Sequence, residues 1–194
     1  MAKEGKSAIT KKTIENISFG SGTIHKNLKY TEGTGWNFLE SLMGATSGGS
    51  KFNVVAELLH LDVDGALVKV RGMEKKIGET ATMEINFIEL TPETIKLAVF
   101  GENGVSEDAN YDVIVSKADI EEGDYLDNIA YVGTKLDGTN IIVILPNALC
   151  TSGLSSEGKN KEANVIPLTF EAHADIESDH DKLDYKIYTP KANA

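Results

Sequence analysis

TATMEINFIELTPETIKLAVFG, residues 80–101, changes its periodicity halfway along. From Thr80 to Leu90 apolar and polar side chains alternate, which places alternate residues on one face of an extended chain. We therefore predict a strand with one solvent-facing side and one core-facing side. The core-facing side would carry Ala81, Met83, Ile85 and Phe87.

The second half of this stretch has the signals of a short helix. Thr91 suits an N-cap, Pro92 is tolerated in the first turn, and Glu93 favours the positive end of the helix dipole. Gly101 would close the helix. The predicted inward residues are Ile95, Ala98 and Val99.

A hairpin is predicted immediately before this stretch. Phe52–Val63 is almost continuously apolar, Asp64-Gly65 follows, and apolar residues alternate again over 66–71. An Asp-Gly pair between two apolar runs is a strong signal for a two-residue hairpin turn.

The rest of the chain repeats the β pattern. Asp137-Gly138 is a second turn candidate, and the segment Thr151–Asn160, rich in Ser, Gly and Lys, predicts an exposed loop. Further strands are predicted at Tyr111–Val115, Tyr125–Thr134, Ile141–Leu145, Ile166–Ala172 and Tyr185–Tyr188. The predicted fold class is mainly β with one short helix.

Composition limits the functional class. The 194 residues suit a single domain spanning 1–194. With 30 acidic against 19 basic side chains the net charge is −11, which repels phosphate backbones and argues against tight nucleic-acid binding. The single cysteine, Cys150, cannot form an internal disulfide, and no apolar run suits a signal peptide or a membrane span, so we expect synthesis in a reducing cytoplasm.

Two segments do not fit the β pattern. The first is a polar arm over about residues 1–13, and the second is a long loop over about residues 31–50. Long loops in compact domains are often functional. Within the second, Asn37–Met43 could instead form about one and a half turns of helix packed on the core.

A search for catalytic and cofactor motifs gives negative expectations. Gly49-Ser50-Lys51 has the wrong order for a phosphate-binding loop, so Gly44–Lys51 is predicted to be a flexible loop. Gly20-Ser21-Gly22 is neither a nucleophile elbow nor a dinucleotide fingerprint, and predicts a bulge or bend in a strand. No ligand spacing relates the histidines, which are His25, His60, His173 and His180. The sequence therefore predicts a protein that is not an enzyme and has no metal and no cofactor.

The densest group of acidic residues lies near the end of the chain. Alternating carboxylates can bind Ca²⁺, although this spacing does not match an EF-hand. A solvated turn between the last two strands is the favoured interpretation. The group is Asp175, Glu177, Asp179, Asp181 and Asp184.

Four motifs, taken together, resemble the tail tube (major tail) proteins of long-tailed bacteriophages. A Phe-Gly-x-Gly bend lies at Phe19–Gly22 within Asn16–Asn27, and Thr-Pro-Glu-Thr-Ile lies at Thr91–Ile95 within Glu79–Gly101. Pro-Leu-Thr-Phe-Glu-Ala and Tyr-Lys-Ile-Tyr follow at Pro167–Ala172 and Tyr185–Tyr188. Their order covers most of the chain, and the resemblance rests on the combination because each motif alone is degenerate.

The resemblance implies a β-sandwich or barrel-like subunit with one flanking helix. Such subunits assemble into stacked, hexameric rings, and the inner strands line a channel for genome passage during ejection. The implied partners are further copies of the chain, tail tip or baseplate proteins, tail terminator proteins, a possible sheath, and double-stranded DNA in transit. The implied location is the tail of the virion. An acidic conduit suits this role because like charges keep the duplex mobile.

The arm and the long loop acquire a role under this resemblance. Segments without an intramolecular partner can order against neighbouring subunits and supply buried anchors. The candidate subunit-interface residues are Trp36, Phe38, Leu39, Leu42 and Met43.

Two alternatives stay open at the level of sequence. A phage-derived bacteriocin or a secretion tube uses a similar subunit without packaged DNA. A calcium-assisted carbohydrate-binding β-sandwich would use the carboxylates between Asp175 and Asp184.

Overall fold

The computed structural model describes Ile9, Thr13 and residues 17–191. The chain is mainly β, with short helices, which confirms the predicted fold class. In chain order the elements are β1 (Ser18–Lys26), β2 (Tyr30–Thr31), β3 (Gly35–Trp36), α1 (Phe38–Ser41), β4 (Thr46–His60), β5 (Glu74–Phe87), α2 (Pro92–Val99), β6 (Gly101–Gly104), β7 (Val113–Ser116), a 3-10 turn (Glu122–Asp124), β8 (Leu126–Lys135), β9 (Asn140–Cys150), β10 (Ile166–Ala172) and β11 (Lys186–Tyr188).

Seven strands form one antiparallel sheet in the order β1-β8-β9-β10-β5-β4, with β11 also paired to β9. The sheet curls, because β1 at one end contacts β4 at the other. Just before β4, Leu42 bridges to His25, and the Met43 amide donates to the Ile24 carbonyl at 2.9 Å. The result is a barrel-like sheet closed along one seam by a few contacts.

The predicted core-facing alternation of β5 is confirmed. Ala81, Met83, Ile85 and Phe87 are all buried. They lie beside β10, where Leu168 pairs with Ile85 and Phe170 pairs with Met83. The main core therefore lies inside the curl of the sheet.

A second apolar cluster covers the outer face of β8 and β9. Ala130, Val132 and Ile142 are buried there, with Leu28 above them. Trp36 and Phe38 pack onto this cluster from β3 and α1. The segment predicted as one long loop over 31–50 is thus divided among β3, α1 and the first part of β4, and α1 supplies the single helical turn that the sequence left open.

Helix α2 begins as predicted, with the Thr91 hydroxyl accepting from the Thr94 amide at 3.1 Å. The predicted end needs correction, because Phe100, with φ of 50°, takes the left-handed position and Gly101 opens β6. The inward face also differs: Thr94, Leu97 and Ala98 are buried, whereas Ile95 and Val99 are half-buried. Gly101 is needed for space, since a Cβ there would lie 2.6 Å from the Ile114 Cγ2 atom.

The hairpin predicted around Asp64-Gly65 is wrong in its second strand. β4 pairs with Glu74–Phe87, and residues 61–73 form the connection. A turn does exist at the predicted place, because the Ala66 amide donates to the Val63 carbonyl at 3.1 Å and Gly65 has φ of 88°. Its flanking residues do not pair with each other as strands.

The glycine-rich segments near the start of the chain shape strands. The bulge predicted at Gly20–Gly22 is confirmed by a register shift in β1 between Phe19 and Thr23. The flexible loop predicted at Gly44–Lys51 is wrong, because β4 begins at Thr46. Gly48 and Gly49 have positive φ values of 82° and 84°, and they lie between Thr46 and Ser50, where the β4–β5 ladder shifts its register.

The other predicted turn, loop and strands are confirmed, and some of the strands have altered bounds. The Asp137-Gly138 turn joins β8 to β9, with φ of 83° at the glycine. The loop predicted at Thr151–Asn160 precedes β10, and β10 has the predicted bounds. β9 is longer than predicted, and β7 and β11 are shorter. Apart from Ile9 and Thr13, the polar arm lies outside the described residues.

Candidate functional site: an exposed hairpin

The outer half of the β4–β5 hairpin extends beyond the sheet. β10 pairs with β5 only between Thr82 and Phe87, whereas the β4–β5 ladder continues to the pair His60 and Glu74. Residues 55–60 and 74–80, which we call the outer ribbon, therefore form a two-stranded ladder. Residues 61–73, which we call the tip, connect its strands.

The outer ribbon and the tip expose many large apolar side chains. Leu67 is 99% exposed and Val68 is 77% exposed, and both lie in the tip. The others are Val55, Leu58, Leu59 and Ile77 in the ribbon, and Leu61, Val63 and Val70 in the tip. Grouped exposed apolar side chains mark an interaction site, and a two-stranded ribbon is marginal in water on its own. The segment 180–183 lies beside residues 75–79 of the ribbon, where the Leu183 amide donates to the Glu79 carboxylate at 3.3 Å.

Backbone hydrogen bonds hold the tip in a defined shape. The Leu61 amide donates to the Met73 carbonyl at 2.9 Å, which extends the ladder by one bond. The Met73 amide donates to the Val70 carbonyl at 3.1 Å. The exposed apolar side chains are therefore carried on an ordered segment, which lowers the entropy cost of docking.

The charges of the hairpin differ from those of the rest of the chain. The outer ribbon and the tip together contain four basic and five acidic side chains, whereas the rest of the chain contains 15 and 25. The Lys69–Glu74 ion pair at 3.6 Å is exposed and weak, whereas in the Lys76–Glu79 pair at 2.8 Å the Glu79 side chain is mostly covered. The hairpin is thus a nearly neutral, apolar surface on an acidic protein.

β4 also presents a free edge. Within residues 17–191 its only ladder partner is β5, so the opposite backbone edge of this 15-residue strand has no ladder partner, although β1 approaches β4 along the seam. Unpaired backbone edges favour pairing with another chain. Two register shifts interrupt the β4–β5 ladder, one between Thr46 and Ser50 of β4 and one opposite Glu57 and Leu58, where Ile77 is the extra residue on β5.

The five residues predicted as interface anchors fall into three environments. Met43 is 7% exposed and belongs to the main core, so it is not available at the surface. The rings of Trp36 and Phe38 stack with their centres 6.4 Å apart, and both pack on the apolar cluster on the outer face of β8 and β9. Leu39 and Leu42 are exposed and line a shallow groove beside Gly22 and His25.

Sequence reasoning missed the hairpin as a surface. Adjacent apolar pairs at Leu58-Leu59 and Leu67-Val68 were the available signal. Neighbouring residues of a strand point to opposite faces, so a sheet with one core face cannot bury both members of such a pair.

His25 makes the most buried polar contacts of the four histidines. Its Nδ1 lies 2.9 Å from the Ser41 hydroxyl, and its Nε2 lies 2.8 Å from the Thr23 hydroxyl. Burial lowers the pKa of His25 below its ordinary value. These contacts join β1 to α1 at the seam of the sheet, so we assign His25 a structural role.

The other reactive side chains are also in structural settings. Cys150 is buried and pairs in register with Phe170, and burial raises the pKa of its thiol. A buried thiol with a raised pKa is a poor nucleophile. His60 lies 3.2 Å from Glu74 across the ribbon.

The acidic group near the end of the chain is organised as turns. The Asp175 carboxylate accepts from the Glu177 amide at 2.8 Å, and the Asp179 carboxylate accepts from the Asp181 amide at 3.1 Å. Among the described residues, no group of three or more His, Cys, Asp or Glu side chains is placed to hold a metal ion. No described helix is long and apolar enough to cross a membrane.

Comparison with known proteins gives no family assignment. No protein-family model matches the chain, and no curated protein matches it significantly.

Proposed function

We propose that this protein is a structural subunit that assembles with copies of itself into the tail tube of a bacteriophage. In this role it is not an enzyme and needs no cofactor. Stacked rings of the subunit, hexameric in the proposed form, enclose the channel for the genome. The observation that carries the proposal is the ordered, exposed apolar surface of the outer ribbon and the tip.

The apolar area is too large for a surface without a partner. Burying a fully exposed leucine or valine contributes roughly 1.5–3 kcal/mol. Nine leucine, valine and isoleucine residues of the outer ribbon and the tip are between 44% and 99% exposed, so each contributes all or about half of that amount. A fraction of that gain offsets the loss of translational and rotational freedom on association. A second copy is a partner always present at the same concentration.

The free edge of β4 supports the same proposal. A strand edge that another chain can extend supplies backbone hydrogen bonds, and side chains on alternate positions supply specificity. A contact between two different surfaces of one chain can propagate without closing, which produces a filament or stacked rings.

The charge distribution suits a conduit. A net charge of −11 repels a DNA duplex, so a channel lined by such subunits does not retain it. The proposed partners are therefore further copies of the chain, the proteins that begin and end the tube, a sheath where the tail has one, and DNA in passage. The proposed location is the tail of the virion.

The first test is negative-stain electron microscopy of the purified protein over a range of concentrations, with sedimentation velocity in parallel. We expect rings or tubes with a central hole that grow in number with concentration. A monomer at every concentration, both alone and with preformed tail tips added, would contradict the proposal.

A matched pair of variants assigns the assembly to the hairpin. Leu67→Ser with Val68→Ser removes apolar surface from the tip, and we expect assembly to be lost with the fold intact. Ile176→Ser is the control, because Ile176 is 89% exposed but lies in the acidic turn. Equal loss of assembly in both variants would exclude a specific role for the tip.

A further inference from the structure

A second acidic part of the chain is a lobe that comprises β6, β7 and the residues that follow, over 101–122. It contains seven acidic residues and one basic residue, Lys117. Lys117 is already paired with Glu121 at 3.0 Å and with Asp124 at 2.7 Å. The other acidic side chains of the lobe are exposed and form no ion pair within residues 17–191: Glu102, Glu107, Asp108, Asp112, Asp119 and Glu122.

The same lobe carries isolated apolar side chains. Val105 is 96% exposed, and Tyr111 and Ile120 are also exposed. β6 and β7 form a two-stranded sheet separate from the main sheet, and they contact α2. The lobe therefore combines uncompensated carboxylates with apolar side chains that contribute nothing to the core of the chain.

The hairpin combines exposed apolar side chains with two cations that are unpaired within residues 17–191. Arg71 in the tip and Lys75 in the outer ribbon are exposed cations that form no ion pair within the described part of the chain. Arg71 directly follows Val70 and is close in sequence to Leu67 and Val68, and Lys75 lies four residues after Arg71. Because the outer ribbon and the tip have almost balanced charges, a second copy meets less repulsion here than over the acidic body.

We propose that the hairpin tip of one copy docks on the 101–122 lobe of a second copy. The inference rests on the proposed function and names the two surfaces that meet. Apolar side chains of the tip contact Val105, Tyr111 and Ile120, while Arg71 and Lys75 approach the uncompensated carboxylates. Since the two surfaces belong to different parts of one chain, the contact can repeat from copy to copy.

Charge reversal tests the docking. The tip variant carries Arg71→Glu and Lys75→Glu, and the lobe variant carries Asp112→Lys and Asp119→Lys. These four residues are exposed and form no ion pair within residues 17–191, so the fold should survive, which circular dichroism and the melting temperature verify. Each variant alone should raise the apparent dissociation constant of self-association about tenfold or more, because like charges then face each other.

Mixing the two variants provides the decisive measurement. In an equimolar mixture the reversed tip of one variant meets the reversed lobe of the other, and the native tip meets the native lobe. The apparent dissociation constant should therefore return to within a few-fold of that of the unaltered protein. A folding defect in either variant cannot produce this recovery. Sedimentation velocity and electron microscopy read the result.

A control variant excludes a general effect of charge. Glu177→Lys with Asp181→Lys makes the same change in net charge in the acidic turn, and we expect no weakening of assembly. If the unaltered protein assembles and the lobe variant assembles equally well, the docking is wrong while the proposed function stands. If the unaltered protein does not assemble at all, the proposed function itself fails.

Discussion

At the residue scale, the hydrogen bonds around His25 fix its tautomer. The Ser41 hydroxyl donates to the Asn37 carbonyl at 2.8 Å, so its oxygen accepts from the Nδ1–H of His25. Nε2 is then the unprotonated nitrogen and accepts from the Thr23 hydroxyl at 2.8 Å. The centres of the His25 and Phe38 rings lie 5.6 Å apart, and the two rings are tilted relative to each other. The neutral form of His25 therefore hydrogen-bonds to both hydroxyl groups, that of Thr23 in β1 and that of Ser41 in α1.

This arrangement predicts a pH dependence of stability. Burial lowers the pKa of His25 in the folded state below the ordinary value of 6.5, so the unfolded state binds more protons near that pH. The stabilisation is present above the unfolded-state pKa and is lost as pH falls from there through the folded-state pKa. Denaturant unfolding at about pH 7.5 and about pH 5 should show it.

The control for this prediction is His25→Gln, which cannot take up a proton. Its free energy of unfolding should change less between the two pH values than that of the unaltered protein. Asp124 and Glu79 also have lowered pKa values, but their effects belong to lower pH, below ordinary values of 3.8 and 4.5. Equal pH slopes in the two proteins would remove His25 from the explanation.

At the element scale, α2 shows how far a local signal reaches. The cap was predictable because Thr91 precedes a proline and an acidic residue, and this choice depends on neighbours in sequence. The end of the helix was not predictable, because Phe100, a residue that rarely takes a left-handed conformation, does so here and β6 begins directly after it. The buried face of α2 also lies one position before the predicted one, because Thr94, Leu97 and Ala98 are the buried residues.

The cap itself gives a second prediction. Thr91→Ala should lower the free energy of unfolding by about 1 kcal/mol, because the Thr94 amide loses its acceptor. Thr91→Ser keeps the hydroxyl oxygen and should retain most of the stability. Urea unfolding followed by circular dichroism measures both. Equal losses in the two variants would assign the effect to the threonine methyl group and not to the cap.

The hairpin shows where local signals fail. The core contacts of β4 set its register, with Phe52 opposite Met83 and Val54 opposite Ala81. With this register and the one-residue shift between Glu57 and Leu58, antiparallel pairing brings His60 opposite Glu74 and leaves 61–73 as the connection. The alternation from Ala66 to Arg71 satisfies strand propensity, but no partner strand lies within reach. β10 was predictable because its side chains alternate strictly between buried and more exposed, and its buried side chains lie in the core.

At the scale of the whole molecule, the fold and the candidate surface differ in predictability. The β class follows from periodicity, which the core enforces. The exposed hairpin does not, because its apolar residues look like core residues in sequence and differ only in lacking a cover. Trp36 and Phe38, which were predicted to lie at a subunit interface, also pack on the outer face of β8 and β9 within the chain.

The last prediction separates stability from assembly with one chemical change at two places. Leu168 is fully buried in β10, and Leu67 is 99% exposed in the tip. Leu168→Ala should lower the free energy of unfolding by about 2–5 kcal/mol, through lost burial and the cavity left behind. Leu67→Ala should change it by less than about 0.5 kcal/mol. Urea unfolding at a protein concentration below the onset of assembly measures both.

Assembly should show the opposite order. Leu67→Ala should raise the concentration at which assemblies form, because the tip loses apolar area that a second copy buries. Leu168→Ala should leave that concentration unchanged under conditions where it is still folded, since its side chain touches no outer surface. A loss of stability in Leu67→Ala comparable with that in Leu168→Ala would mean that the tip is packed within its own chain, and the exposed hairpin would then lose its claim to be the surface of association.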